Sequence, residues 1–240
     1  MIGIRIDGEV ARLTLARPEV RNAIPLAGWD AIAACIDEAV GSSARAIVLA
    51  GEGGAFCAGA DLGEFPSFAG EEAAATGFRL AMRRAFDAIE AAPVPVIALI
   101  EGSCYGAGVA LAMACDFRLA SPAARFAITP ARMGISYPQE DVARLVALVE
   151  PGQAARLLFG AGAIGAEEAK GIGLVDGEAG ELDAMVATLL ANDRESLATL
   201  KRGIRLAVRG VRSDAGQDRL FDRLLADPAL AARLEGRRRR

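Results

Sequence analysis

Two glycine-bearing stretches, Phe56-Cys-Ala-Gly-Ala-Asp-Leu62 and Gly102-Ser-Cys-Tyr-Gly-Ala-Gly108, constrain this chain more than any other feature. Each follows a short apolar, strand-like run (residues 45–50 and 94–100) and each leads towards helix-forming sequence. A chain that repeats strand, glycine turn, helix and strand folds as α/β. Small residues at such turns let a backbone N–H approach a ligand with little side chain in the way. Two such amides converging on one point form an oxyanion hole, which stabilises a carbonyl oxygen as it becomes an enolate or alkoxide.

The residues that are missing point the same way. There is no histidine in 240 residues, so a Ser-His or Cys-His nucleophile pair and the commonest zinc ligand are both excluded within the chain. Cys35, Cys57, Cys104 and Cys115 are scattered without metal-ligand spacing and fit a reducing compartment. Cys104 lies in a Gly-x-Cys-x-Gly stretch that superficially resembles a nucleophile elbow. With no imidazole to activate it, it reads as a small apolar residue at a strand end. A net charge of −4 gives the surface as a whole no nucleic-acid-binding character. The apolar runs are too short or interrupted to span a bilayer, and the first residues lack the layout of a secretory signal. A cytoplasmic protein with no membrane partner is expected.

Residues 1–15 alternate as a β-hairpin would, and residues 26–40 carry one apolar stripe at helical spacing. A strand at 46–50 and a helix at 71–91, stopped by Pro93 and Pro95, come next. Then follow a strand at 96–100, a helix at 106–114 and a strand at 116–120. Beyond Pro138 the sequence reads as almost all helix: 140–149, 152–159, 166–171, 181–191, 194–208 and 212–225. A last short piece ends in arginines 237–240, expected to be a solvated tail. The switch from mixed to helical sequence divides the chain into a core, residues 1–190, and a C-terminal helical region, residues 191–240. Apolar positions in that region, among them Leu200, Ile204, Leu220 and Phe221, need cover from their own core or from another subunit.

Several stretches together resemble the crotonase superfamily, also called the enoyl-CoA hydratase/isomerase family. They are Arg17-Pro-Glu-Val-Arg-Asn-Ala23, the two glycine stretches, Cys115-Asp116, Arg125-Phe-Ala, Pro130, Gly134 and the run from Ala166 to Val175. The resemblance spans nearly the whole chain in order. It implies a spiral of ββα turns with a C-terminal helical extension, assembled as a homotrimer or hexamer. It also implies an acyl-CoA thioester as substrate, coenzyme A being carried as part of that substrate with no separate cofactor and no metal. The N–H groups of Ala60 and Ala107 fall on the family's oxyanion-hole positions. Ala58, Ala60, Asp61 and Leu62 would border the adenine, and Arg21, Ala23 and Gly106 would join the coenzyme-A-binding set. Lys201 matches a basic position that often reaches a coenzyme A phosphate, though Lys201 and Arg202 equally suit a solvated helix face.

Two departures bear on the chemistry. The positions of the two glutamates with which family hydratases hold and deprotonate water are Ala110 and Ala131 here. Neither accepts a proton, and losing general base catalysis typically costs about 10²–10⁴-fold. Isomerase, decarboxylase or other lyase chemistry is therefore expected over hydration. Residues 129–141 occupy the stretch from which family isomerases and dehalogenases project a catalytic carboxylate. The best-aligned position is Pro138, and Glu140 and Asp141 lie two and three residues beyond it, where they also suit the first turn of a helix as dipole-stabilising acids. Glu64 is a further acid near the first motif. Tyr137 matches a decarboxylase tyrosine that faces the acyl group, or packs before Pro138. A non-catalytic acyl-CoA-binding protein is the alternative. A dinucleotide oxidoreductase is a weaker one, because the fingerprint begun at Gly106-Ala-Gly108 has leucine where its third glycine belongs, at Leu111.

Overall fold

A computed structural model describes residues 2–238, apart from the side chains of residues 232 and 235–238. The chain opens on a hairpin in which β1 (Ile2–Asp7) pairs antiparallel with β2 (Val10–Leu15), Asp7 opposite Val10. Next, α1 (Leu26–Gly41) turns Trp29, Ile32 and Ile36 inward, as its stripe requires. β3 (Ala46–Gly51) adds parallel to β2, and α2 (Glu72–Ala91) buries Met82, Phe86 and Ile89. Trp29 and Phe86 meet edge to face at 5.6 Å, locking α1 against α2.

The middle of the chain repeats one pattern. β4 (Val96–Ile100) pairs parallel with β3, and β5 (Ser103–Tyr105) leads into α3 (Ala107–Ala114), whose residues 108–114 are all buried. β6 (Phe117–Ala120) pairs parallel with β4, and β7 (Arg125–Ala127) parallel with β5. After β7 comes α4 (Gln139–Gly160), followed by β8 (Ile164–Gly165), α5 (Ala166–Gly171), β9 (Gly177–Glu178) and α6 (Leu182–Ala191). The extension is α7 (Arg194–Val208), α8 (Ala215–Leu225) and α9 (Ala229–Arg238).

Strands β1-β2-β3-β4-β6-β9 form a six-stranded sheet and β5-β7-β8 a three-stranded one. The second sheet is joined through a single parallel bridge between Cys57 and Cys104. The chain therefore passes three times through the same course, a strand in the large sheet, a pairing in the small one, then a helix. Cys57, Cys104 and Phe126 are equivalent residues on successive passes, since Cys104 pairs with both of the others. This is the spiral of ββα turns, with a helical C-terminal end.

Some elements differ from expectation. β5, β8 and β9 were not legible as strands, because two or three residues carry no period. The stretches at 140–149 and 152–159 run together as α4, interrupted at Glu150, whose φ of 66° is non-helical, just before Pro151. α8 starts at Ala215, where the Asp214 carboxylate accepts from the Gln217 N–H at 2.7 Å and caps the helix. Arg237 and Arg238 complete α9 and do not begin a separate tail, while residues 239 and 240 lie outside the described residues. Among the described residues no helix is long and apolar enough to cross a membrane.

Candidate functional site

The bridge between Cys57 and Cys104 sets the geometry of the site. The Cys57 N–H donates to the Ser103 carbonyl at 2.9 Å and the Tyr105 N–H to the Cys57 carbonyl at 2.8 Å. In that register Ala60 and Ala107 each stand three residues beyond a paired cysteine, on adjacent turns of the spiral. The third equivalent position, after Phe126, is Thr129. Ala60, Ala107 and Thr129 all line one cavity of about 120 Å³. The two glycine loops approach so closely that a Cβ at Gly59 would stand 2.8 Å from the Tyr105 carbonyl and 3.3 Å from the Ala107 nitrogen. Gly59 also has a φ of +103°, and so could not readily be another residue.

Among the described residues neither the Ala60 nor the Ala107 N–H donates to a protein acceptor. Ala107 opens α3, so it has no intrahelical partner and the positive end of the helix dipole lies there. Each amide is instead fixed from the far side of its own peptide plane. The Gly59 carbonyl accepts from the Ile24 N–H at 2.8 Å, and the Gly106 carbonyl from the Tyr137 O–H at 2.9 Å. In a trans peptide C=O and N–H point in opposite directions. Anchoring the carbonyls therefore aims both hydrogens.

The rest of the cavity is mostly apolar, lined by Leu62, Phe65, Phe78, Met82, Ala110 and Ile135. Phe65 and Phe78 pack edge to face at 5.8 Å. No lysine or arginine lines it among the described residues, and its one acid is Asp141. Asp141 is the third residue of α4 and only 2 % exposed. Its Oδ1 accepts from Arg144 Nη1 at 2.6 Å. Burial outweighs the guanidinium and pushes its carboxyl up to about 6, a value suited to taking and returning a proton near neutral pH.

The neighbouring acids are elsewhere. Glu140 turns outward to accept from Arg83 Nη1 at 3.0 Å, which holds its carboxyl below the usual range. Unlike Asp141 it does not line this cavity, since successive helical residues point about 100° apart. Glu64 accepts from the Leu26 N–H at 2.6 Å and so caps α1. Tyr137 lines the cavity, but its O–H is engaged with Gly106, and burial raises its phenol well above its ordinary value. Cys104 is fully buried, and burial likewise raises its thiol far from any nucleophilic range.

Of the residues expected around coenzyme A, Ala58, Leu62 and Gly106 line the cavity. Asp61 accepts from Arg17 Nη1 at 2.9 Å and from the Gly63 N–H at 3.1 Å, which ties down the first loop. Arg21 projects into solvent while its carbonyl accepts from the Ala58 N–H at 2.9 Å. Ala23 lines a separate apolar cavity of about 210 Å³ beside α1. Lys201 is corrected on both of its readings. It is 8 % exposed, and its ammonium donates to the Ile89 and Val94 carbonyls at 3.1 Å each and to Asp116 Oδ2 at 2.7 Å. Three donors so engaged leave none for a phosphate.

Residues that sequence reasoning passed over hold this arrangement. Asn22 is 1 % exposed with φ of 58°, and its amide donates to the Glu52 and Ala55 carbonyls at 2.9 and 2.7 Å. Asparagine tolerates that left-handed backbone, which was the available signal. Arg144 could have been found from its spacing of three residues from Asp141.

The family model described as enoyl-CoA hydratase/isomerase matches residues 5–227. EchA6 of Mycobacterium tuberculosis, named a probable enoyl-CoA hydratase, is 37 % identical over 176 residues, covering 73 % of this chain and 70 % of that one. The mitochondrial Delta(3,5)-Delta(2,4)-dienoyl-CoA isomerase of Mus musculus is 34 % identical over 193 residues, covering 76 % and 59 %. A crystal structure from Hyphomonas neptunium, of a protein assigned to the enoyl-CoA hydratase/isomerase family, superposes with a TM-score of 0.90 at 37 % identity, covering 96 % of this chain and 91 % of that one. The spiral that the family resemblance implied is the fold shared with that crystal structure.

Proposed function

The chain belongs to the enoyl-CoA hydratase/isomerase family, and from that premise we propose that it is an acyl-CoA isomerase whose reaction passes through a thioester enolate. The observation that carries this reading is the pair of unpartnered amides, Ala60 and Ala107, on one apolar cavity with a single buried carboxyl, Asp141. The two amide hydrogens bind the thioester oxygen and stabilise the charge it gathers. Asp141 takes a proton from C2 of a 3-enoyl thioester, giving a dienolate. It then returns that proton at C4 and leaves the 2-enoyl product, with no water or second reactant consumed.

Hydration and decarboxylation fit less well. Ala110 and Ala131 offer a water nothing basic, whatever the names of the hydratase relatives suggest. A carboxylate-bearing acyl group would find no cation lining the cavity among the described residues and would face the Asp141 anion. The Tyr137 proton is already committed to Gly106. The substrate class this favours is an uncharged, unsaturated acyl chain on coenzyme A. The exposed apolar rows of α7 and α8 favour assembly with further copies, as a homotrimer.

Incubation with 3-hexenoyl-CoA, crotonyl-CoA and methylmalonyl-CoA separates the reactions. Conversion of the first alone, lost in Asp141→Asn, is expected. Rapid hydration of crotonyl-CoA would overturn the account of Ala110 and Ala131. Tight thioester binding with no turnover of any of the three would favour a binding protein.

A further inference from the structure

Asp141 is the last member of a chain of alternating charges that runs from the cavity wall to the C-terminal helices. Arg144, one helical turn further along α4, divides its guanidinium between two carboxylates. Its Nη1 donates to Asp141 at 2.6 Å and its Nε to Glu90 Oε1 on α2 at 2.6 Å. The other oxygen of Glu90 faces Nη2 of Arg209, the residue that follows the end of α7, at 3.6 Å. Arg144 and Glu90 are both largely buried, at 14 % and 19 % side-chain exposure, so solvent screens this pair little, whereas Arg209 is exposed. The Arg144 guanidinium also lies 5.7 Å from the centre of the Phe86 ring, which restricts it to this position.

Other charged groups around Asp141 are already matched. Arg83 on α2 sits 5.5 Å from the same ring but pairs with Asp87 at 3.1 Å and Glu140 at 3.0 Å. Glu140 on α4 points outward to that arginine, Tyr137 precedes the helix with its O–H on Gly106, and α3 contributes only the uncharged Ala107 and Ala110 to the cavity. Arg144 is thus the cation that answers directly to Asp141, and Glu90 is its competitor.

We propose that Arg144 and Glu90 are positioning residues for the Asp141 proton step, Arg144 holding the carboxylate against the cavity and Glu90 offsetting the guanidinium charge so that Asp141 is not locked in its ionised form. Arg209 extends the same balance to α7, so the seating of the C-terminal extension bears on the charge of the site. The inference deepens the isomerase reading and rests on it for its catalytic meaning. Its electrostatic content stands without any substrate.

The test is a carbon-13 NMR titration of the full-length protein carrying aspartate labelled at the side-chain carboxyl, the Asp141 signal being identified by its loss in Asp141→Asn. Arg144→Gln should raise the Asp141 midpoint by about one unit, the usual effect of losing an adjacent opposite charge. Glu90→Gln, nearly isosteric, should lower it by less, and Arg209→Gln should raise it slightly. Shifts of opposite sign from neighbouring substitutions are not what general loosening produces. If Arg144→Gln does not fold, Glu90→Gln decides alone. A midpoint unmoved by Glu90→Gln, or one that rises, overturns the proposal. The expected shifts in a protein that turns over no thioester would leave this coupling intact and remove the isomerase reading.

Discussion

At the scale of single residues, the site depends on one carboxyl kept under strain by its surroundings. The Asp141 midpoint near 6 lies above the ordinary carboxylate value of 3.8. Between those limits the folded protein binds more protons than the unfolded chain, so stability falls as pH rises through the window. Below about pH 4 the penalty vanishes, and above pH 6 it reaches about 3 kcal/mol for the roughly two-unit difference. Asp141→Asn should therefore raise the denaturant midpoint at pH 7.5 and leave it nearly unchanged at pH 4. The same variant should lose about 10²–10⁴-fold in isomerisation, and wild-type turnover should rise with pH through about 6, as a base requires. A variant equally active, or destabilised at both pH values, would remove Asp141 from the role. Tyr137→Phe acts differently, because it releases one of the bonds on the Gly106 carbonyl without removing a proton carrier. Loss of about one hydrogen bond's worth of aim, roughly 10-fold in kcat with KM little changed, is expected. A loss of the size expected for Asp141→Asn would make the tyrosine itself catalytic.

At the scale of elements, the crossing of the two glycine loops and the seating of α7 carry the architecture. A Cβ at Gly108 would lie 2.5 Å from the Cys57 carbonyl and 2.9 Å from its Cβ, so Gly108→Ala must push the first turn of α3 away from the first loop. Overpacking of this kind costs about 1–3 kcal/mol, and calorimetry should show thioester affinity falling with it, since the amides no longer converge. α7 is pinned by Lys201 to Asp116, whose carboxylate also accepts from the Val96 N–H at 2.7 Å. Lys201→Met leaves that acid uncompensated and should cost about 3–5 kcal/mol. Thioester affinity of the folded variant should stay unchanged, and a selective loss of affinity would restore the lysine to a phosphate. These elements also show what could be read in advance. The glycine turns, the hairpin and the long amphipathic helices follow from local pattern, whereas the spiral and the choice of Ala60 and Ala107 came from the family resemblance that those turns carry. Choosing between Glu140 and Asp141 was not, because adjacent acids at a helix start look alike until packing decides which one turns inward. The burial of Lys201 was hidden for a related reason: its partners Ile89, Val94 and Asp116 lie 112, 107 and 85 residues away along the chain. The short strands β8 and β9 are imposed by neighbours and leave no periodic trace.

At the scale of the whole molecule, α7 and α8 carry large apolar side chains that stay exposed among the described residues. Leu200, Ile204 and Val208 recur every four residues along α7 and are 61 %, 65 % and 66 % exposed, while Phe221 and Leu225 on α8 are 61 % and 60 % exposed. The inner face of α7, with Thr199 and Lys201 buried, is already used. A row of large apolar side chains of this length is costly in water and marks an association surface. The charge distribution favours another copy of the chain as the occupant. From Arg194 onward thirteen basic residues stand against six acidic ones, whereas the preceding part has fourteen against twenty-five. A basic, apolar extension thus complements the acidic remainder of a neighbouring copy. Sedimentation at tens of micromolar should give the mass of three chains. Ile204→Asp combined with Phe221→Asp should give monomers with an unchanged helical spectrum, since neither side chain enters the core. High salt should loosen the assembly without dissolving it, because the apolar contact survives screening. Wild-type protein that sediments as a single chain would mean that these rows are covered by something other than a second copy.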